Sequence, residues 1–143
     1  MSEYSSSLLS LLTFVILFTL SAITFVYEEE QAAVRTVHLQ VIKEMAGAGY
    51  LDPAVSAYYS DRLRQEGFDN LIGAFFTASH TDPMNRALKP VYSQVDPHVN
   101  FVHLETRVKP SFSTEIVNWL RTGNGDFLFR NDRESQYIPF LGG

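Results

Sequence analysis

The sequence predicts an α+β protein: a long N-terminal apolar helix continuing into an amphipathic half, then a short second helix and a small antiparallel β-sheet head. Three observations carry that expectation. From Tyr4 to Tyr27 the chain holds no charged residue. From Glu28 to Lys43 it holds no Gly or Pro and spaces its apolar residues as a helix does. After Gly67 it turns to β-branched and aromatic runs cut by Asp, Asn and Pro.

The uncharged run, YSSSLLSLLTFVILFTLSAITFVY, makes a helix about 36 Å long, enough to cross a hydrocarbon core of about 30 Å. Residues 4–27 are therefore expected to span a membrane. A cleaved secretory signal does not suit them, because MSEY carries Glu3 and no Lys or Arg, and no small-residue cleavage site follows. The segment is expected to stay in the working protein, with a leader removed ahead of Met1 left open.

The polar residues of the run share one stripe of the helical wheel: Ser6, Ser10, Thr13, Ser21 and Thr24, with Glu3 at its start and Glu28 beyond it. Two readings follow. The stripe is a helix-packing surface, where small polar residues let backbones approach and hydrogen-bond in an apolar medium; or each hydroxyl bonds back to a carbonyl of its own helix in a solitary anchor. Glu3 has the same duality. It pairs with an α-amino group, its own or that of an adjacent copy, or it rests in the aqueous interface.

Beyond Tyr27 the helix has no stop signal, and Val34, Val37, Val41, Met45 and Ala48 keep an apolar face. One helix of about 40 residues is expected, ended by Gly47 and Gly49, so that residues 1–50 form the helical part and 51–143 the head. A second helix over 53–66 is marked by Asp52 as cap, Pro53 in the first position and Gly67 after the last turn. Its Val55, Tyr59 and Leu63 form a face for the sheet or the first helix.

Three strands are expected from NLIGAFFTAS, LKPVYSQV and VNFVHLETRV. In the last, Val102, Leu104, Thr106 and Val108 alternate with His103, Glu105 and Arg107. Pro90 places its strand at an edge. STEIVNWLRTG suits a helix capped by Ser113 and closed by Gly123, or the first arm of a hairpin with FLFRN; the turn-like TGNGD favours the hairpin. QYIPFLGG is expected to dock on the body or on a neighbouring copy.

Composition narrows the function classes. The 143 residues leave room for one head beside the apolar segment, and a formal charge of -5 speaks against a nucleic-acid partner. No polybasic cluster seeks anionic lipid, and zero cysteines remove disulfides and thiolate chemistry. Basic residues first follow the span at Arg35 and Lys43, which leaves the membrane orientation open. His80, Asp82, His98 and His103 match no common zinc spacing, and Asp126, Asp132 and Glu134 lack the order of a calcium loop. Phe75, Phe76, Phe127 and Phe129 are expected as sheet core. No catalytic residue, cofactor, metal or small-molecule substrate is expected.

The arrangement of Glu3, the uncharged run Tyr4 to Tyr27 and the extension AAVRTVHLQVIKEMAGAGYLD resembles the type IV pilin superfamily, and more closely its TadE-like pseudopilin branch. Pilins carry their glutamate fifth in the processed chain; here it is third. The resemblance implies a structural subunit, membrane-inserted as a precursor, that forms a homopolymeric extracellular filament through its N-terminal helix with heads outward. The alternatives are a single-span accessory protein of a secretion or conjugation machine, binding other subunits without forming a filament, and a membrane-anchored enzyme or ligand-binding head.

Overall fold

The structure is a computed structural model that describes residues 2–70, 73–90 and 96–139. Helix α1 (Ser2–Ala48) runs unbroken for 47 residues, a length of about 70 Å. It holds no Pro, and its first Gly is Gly47. At Gly49 the backbone turns to φ 81°, and its N–H donates to the Met45 carbonyl at 2.7 Å. A Cβ there would stand 2.5 Å from the Ala87 carbonyl oxygen, so only glycine lets the 86–88 loop cross the helix end.

The two halves of α1 meet different surroundings. Tyr27, Val34, Val37, His38, Val41, Ile42, Met45 and Ala46 are buried, a stripe of i, i+3 and i+4 steps. Helix α2 (Pro53–Gln65) covers one side of it, antiparallel to α1. Asp52 caps α2 by accepting from the Ala54 N–H at 2.9 Å. Of the two places open to it, α2 takes α1: Tyr59 donates its hydroxyl proton to Glu44 Oε1 at 3.0 Å, and Arg62 Nη1 donates to Gln40 Oε1 at 3.2 Å.

The other side is covered by an antiparallel sheet of β1 (Phe76–Ala78), β2 (Phe101–Val108) and β3 (Phe127–Glu134), in that order. The predicted alternation of β2 is present: Val102, Leu104, Thr106 and Val108 are buried, and the residues between them are half-exposed. Phe75, Phe76 and Phe127 lie in the core, with Phe129 packed against it. A single turn, α3 (Pro97–Asn100), leads into β2.

Strand β3 travels alongside α1 in the same direction. Phe127 packs on Tyr27 with ring centroids 5.8 Å apart, Asn131 meets His38, and the Gln136 N–H reaches the Ala46 carbonyl at 2.8 Å. Tyr27 to Ala46 is about 28 Å of helix, and Phe127 to Gln136 is about 30 Å of extended chain, so the two match end to end. Gln136 and Tyr137 thus dock on the body, as expected of QYIPFLGG; residues 140–143 lie outside the described residues.

Two expectations are corrected. In LKPVYSQV, residues 88–90 join no strand, and 91–95 lie outside the described residues. Leu88 and Lys89 instead donate to the carbonyls of Val99 and Tyr137 at 2.8 and 2.9 Å, and the third strand of the sheet is FLFRNDRE. The second correction concerns the hairpin. IVNWL belongs to helix α4 (Phe112–Thr122), and only FLFRN is a strand. Asn118 decides it: with helical geometry, its Nδ2 donates to the Asn124 and Asp126 carbonyls at 2.8 and 2.9 Å, and its Oδ1 accepts from the Tyr27 hydroxyl at 3.2 Å. The GNGD stretch is therefore a loop held down from inside α4. Ser111, not Ser113, occupies the cap position, and Gly123 closes the helix at φ 79°.

The head core begins at Tyr27, which gives a direct check. A fragment starting at Thr24 should unfold cooperatively in urea as a monomeric head, and Tyr27→Ala in that fragment should lose about 3 kcal/mol. A fragment that unfolds without cooperativity would show that the bare part of α1 is needed to build the head.

Candidate membrane and assembly segment

From Ser2 to Val26 every residue is exposed except Ile23 and Val26, which are half-buried. Phe14, Phe18 and Phe25 keep 66%, 67% and 67% of their surface free, so the head offers this segment no cover before Ile23. An α-helix satisfies its backbone internally, which allows lipid around it; water around so much apolar surface is costly. The first half of α1 is long and apolar enough to cross a membrane.

Because α1 is continuous, Glu3, Ser6, Ser10, Thr13, Ser21, Thr24 and Glu28 do fall on one side of it, and all seven are exposed. Thr13, Ser21 and Thr24 donate their hydroxyl protons to the carbonyls of Leu9, Leu17 and Leu20 at 2.8, 2.9 and 2.8 Å. A hydroxyl so engaged still has acceptor capacity for a donor on another helix. Glu3 stands in the first turn of α1, where the helix dipole favours a carboxylate. Its suggested partner, the α-amino group, lies outside the described residues.

The residues weighed as cation ligands are dispersed through the head. His80 Nδ1 pairs with Ser79 Oγ at 2.8 Å, and Asp82 accepts from the Met84 N–H at 2.9 Å. His98 lies in α3, and His103 contacts Asp132 across the sheet. Among the described residues, no group of three or more His, Asp or Glu is arranged to hold a metal ion.

Two features escaped the sequence reading. His38 is fully buried between sheet and helix. Its Nε2 donates to Asn131 Oδ1 at 2.7 Å, and Nδ1 accepts from the Thr106 hydroxyl at 2.6 Å, which makes the neutral ring a lock between α1, β2 and β3. On the sequence it was one polar residue beside an apolar stripe; its place between Val37 and Val41 was the available signal. The other is α4, whose Phe112, Ile116, Trp119 and Leu120 point away from the core. Their helical spacing was visible, but their outward aim needed the fold.

Comparison with family models, with curated proteins and with solved structures gave no match to this chain.

Burial pushes the His38 pKa below its ordinary 6.5, opposed in part by the hydrogen bond to Asn131. The unfolded chain therefore takes up this proton before the folded one does. Stability from this site is complete above pH 6.5 and falls as pH drops from there toward the folded pKa. The urea midpoint of the protein in detergent should decline as pH falls below 6.5, and His38→Gln should flatten that decline. An equal slope in the variant would assign the pH dependence to other groups.

Proposed function

We propose that this chain is a pilin-like structural subunit. Its bare apolar segment holds it in a membrane before assembly, and sister copies cover that segment in an extracellular filament with the heads outward. The observation that carries the reading is the uncovered apolar length of α1, continuous with the spine of a folded head. Such a helix is stable in lipid or among copies of itself, and a stripe of small polar residues supplies register between copies. A head-to-tail contact that does not close gives a helical polymer. The architectural likeness to the type IV pilin superfamily supports the same reading.

The second reading is a single-span accessory subunit that binds other proteins without polymerising. One observation favours it: Thr13, Ser21 and Thr24 turn their hydroxyls onto their own helix, as a solitary span does.

Mild shearing of cells followed by sedimentation and negative-stain imaging separates the two. A filament subunit should appear in detergent-resistant high polymers. Ser10→Leu with Ser21→Leu should leave membrane insertion intact and reduce the polymer roughly tenfold. Recovery only as detergent-soluble complexes of fixed size would remove the filament and leave the accessory subunit.

A further inference from the structure

Helix α4 is turned the opposite way from an ordinary surface helix. Its inner face carries Thr114, Asn118 and Val117, of which Thr114 and Asn118 are buried polar residues. Its outer face carries Phe112, Ile116, Trp119 and Leu120, with Phe112 77%, Trp119 59% and Leu120 71% exposed. On a helical wheel these four lie within about 100° of one another, centred nearly opposite the inner residues. The orientation is held by the three hydrogen bonds of Asn118, so rolling α4 over to hide its apolar face would strand that side chain and loosen the 124–126 loop.

The place of α4 in the fold sets its level along α1. It is the connection from β2 to β3, and it leaves and rejoins the sheet at the end where Val108 pairs with Phe127. That end lies beside Tyr27, the last residue of the uncharged run; the other end lies near Ala46. Thus α4 forms the base of the head, on the side of the apolar segment. It also packs on α1 at that end. The Ser111 N–H donates to Glu30 Oε2 at 3.4 Å, Asn118 bonds Tyr27, and the Arg121 guanidinium lies 5.1 Å over the Tyr27 ring. With α1 spanning a bilayer, α4 lies at the level where the uncharged run ends and Glu28 begins.

We infer that α4 is a second membrane contact, a short interfacial helix whose Phe112, Ile116, Trp119 and Leu120 enter the headgroup boundary of the bilayer that α1 spans. The inference rests on the membrane reading of α1. Aromatic residues favour that depth, and a helix lying in the interface needs one apolar face directed at lipid. The surrounding charge is mainly acidic, with Glu28, Glu29, Glu30, Glu115 and Asp126 against Lys109 and Arg121, so the contact is apolar insertion into a zwitterionic surface and not attraction to anionic lipid.

Trp119 is the single tryptophan of the chain, which makes it a reporter. The full chain is reconstituted into phosphatidylcholine vesicles carrying a quencher either near the headgroup or near the bilayer centre, and flotation is scored on the same samples. The expected result is that the protein floats, that the shallow quencher removes roughly half of the Trp119 emission, and that the deep one removes much less. Phe112→Ser with Leu120→Ser should abolish that quenching while the protein still floats. A floating protein whose Trp119 ignores both quenchers overturns the inference and leaves α1 in the membrane. Unchanged quenching in the double variant also overturns it, because the face then does not act as a unit. Trp119 shielded from lipid quenchers and from aqueous iodide alike, increasingly so at high protein density, assigns the face to a second copy instead. Failure to float removes the membrane reading of α1 and this inference with it.

Discussion

One backbone ladder serves both a bare apolar segment and a folded head. Every interior N–H of α1 is paired within the helix, so nothing in the main chain needs to change where the apolar segment ends and the head begins. Only the side chains change. Before Val26 they face outward on all sides; after it, Val34, Val37, Val41 and Met45 become the floor on which both α2 and the sheet are laid. The sheet has three strands, one of them three residues long, and finds its apolar cover largely on that floor. Without the C-terminal half of α1, the core that holds Val102, Leu104 and Phe127 would lose Val34, Val37, Val41, Ile42 and Met45.

With no cysteine available, the loops are tied to this framework by buried polar side chains. Asn100 donates to the Leu88 carbonyl and accepts from the Asp96 N–H, at 2.9 and 2.7 Å. Ser135 donates to the Ala87 carbonyl at 2.8 Å, and Asn118 secures the loop before β3. Buried unpaired groups cost about 1–3 kcal/mol, so each of these is more consequential to lose than its own hydrogen bonds suggest. His38 belongs to the same set, and it alone can gain a charge near neutral pH.

Much of this was legible because its signals are local. The uncharged run, the capping Asp52 with Pro53, and the alternation around Leu104 each depend on neighbours in sequence, and each became the element it announced. What misled depends on distant partners. Ile116, Trp119 and Leu120 are apolar in a strand or in a helix, and Asn118 selects the helix through the Asn124 and Asp126 carbonyls and through Tyr27, 91 positions away. LKPVYSQV has strand composition, but Leu88 and Lys89 spend their N–H groups on Val99 and Tyr137. The polar stripe of the apolar segment was legible as a line of residues; what meets it is a matter of surroundings that one copy does not carry.

The joint between anchor and head is missing, and that has a mechanical consequence. A stiff shaft of about 70 Å that leans by about 5° at its foot shifts its far end by about 6 Å. Any tilt or twist imposed on the apolar end is therefore delivered undiminished to the globular end, as it would not be through a Gly- and Ser-rich tether. The angle at which the lower part is gripped sets where the upper part points.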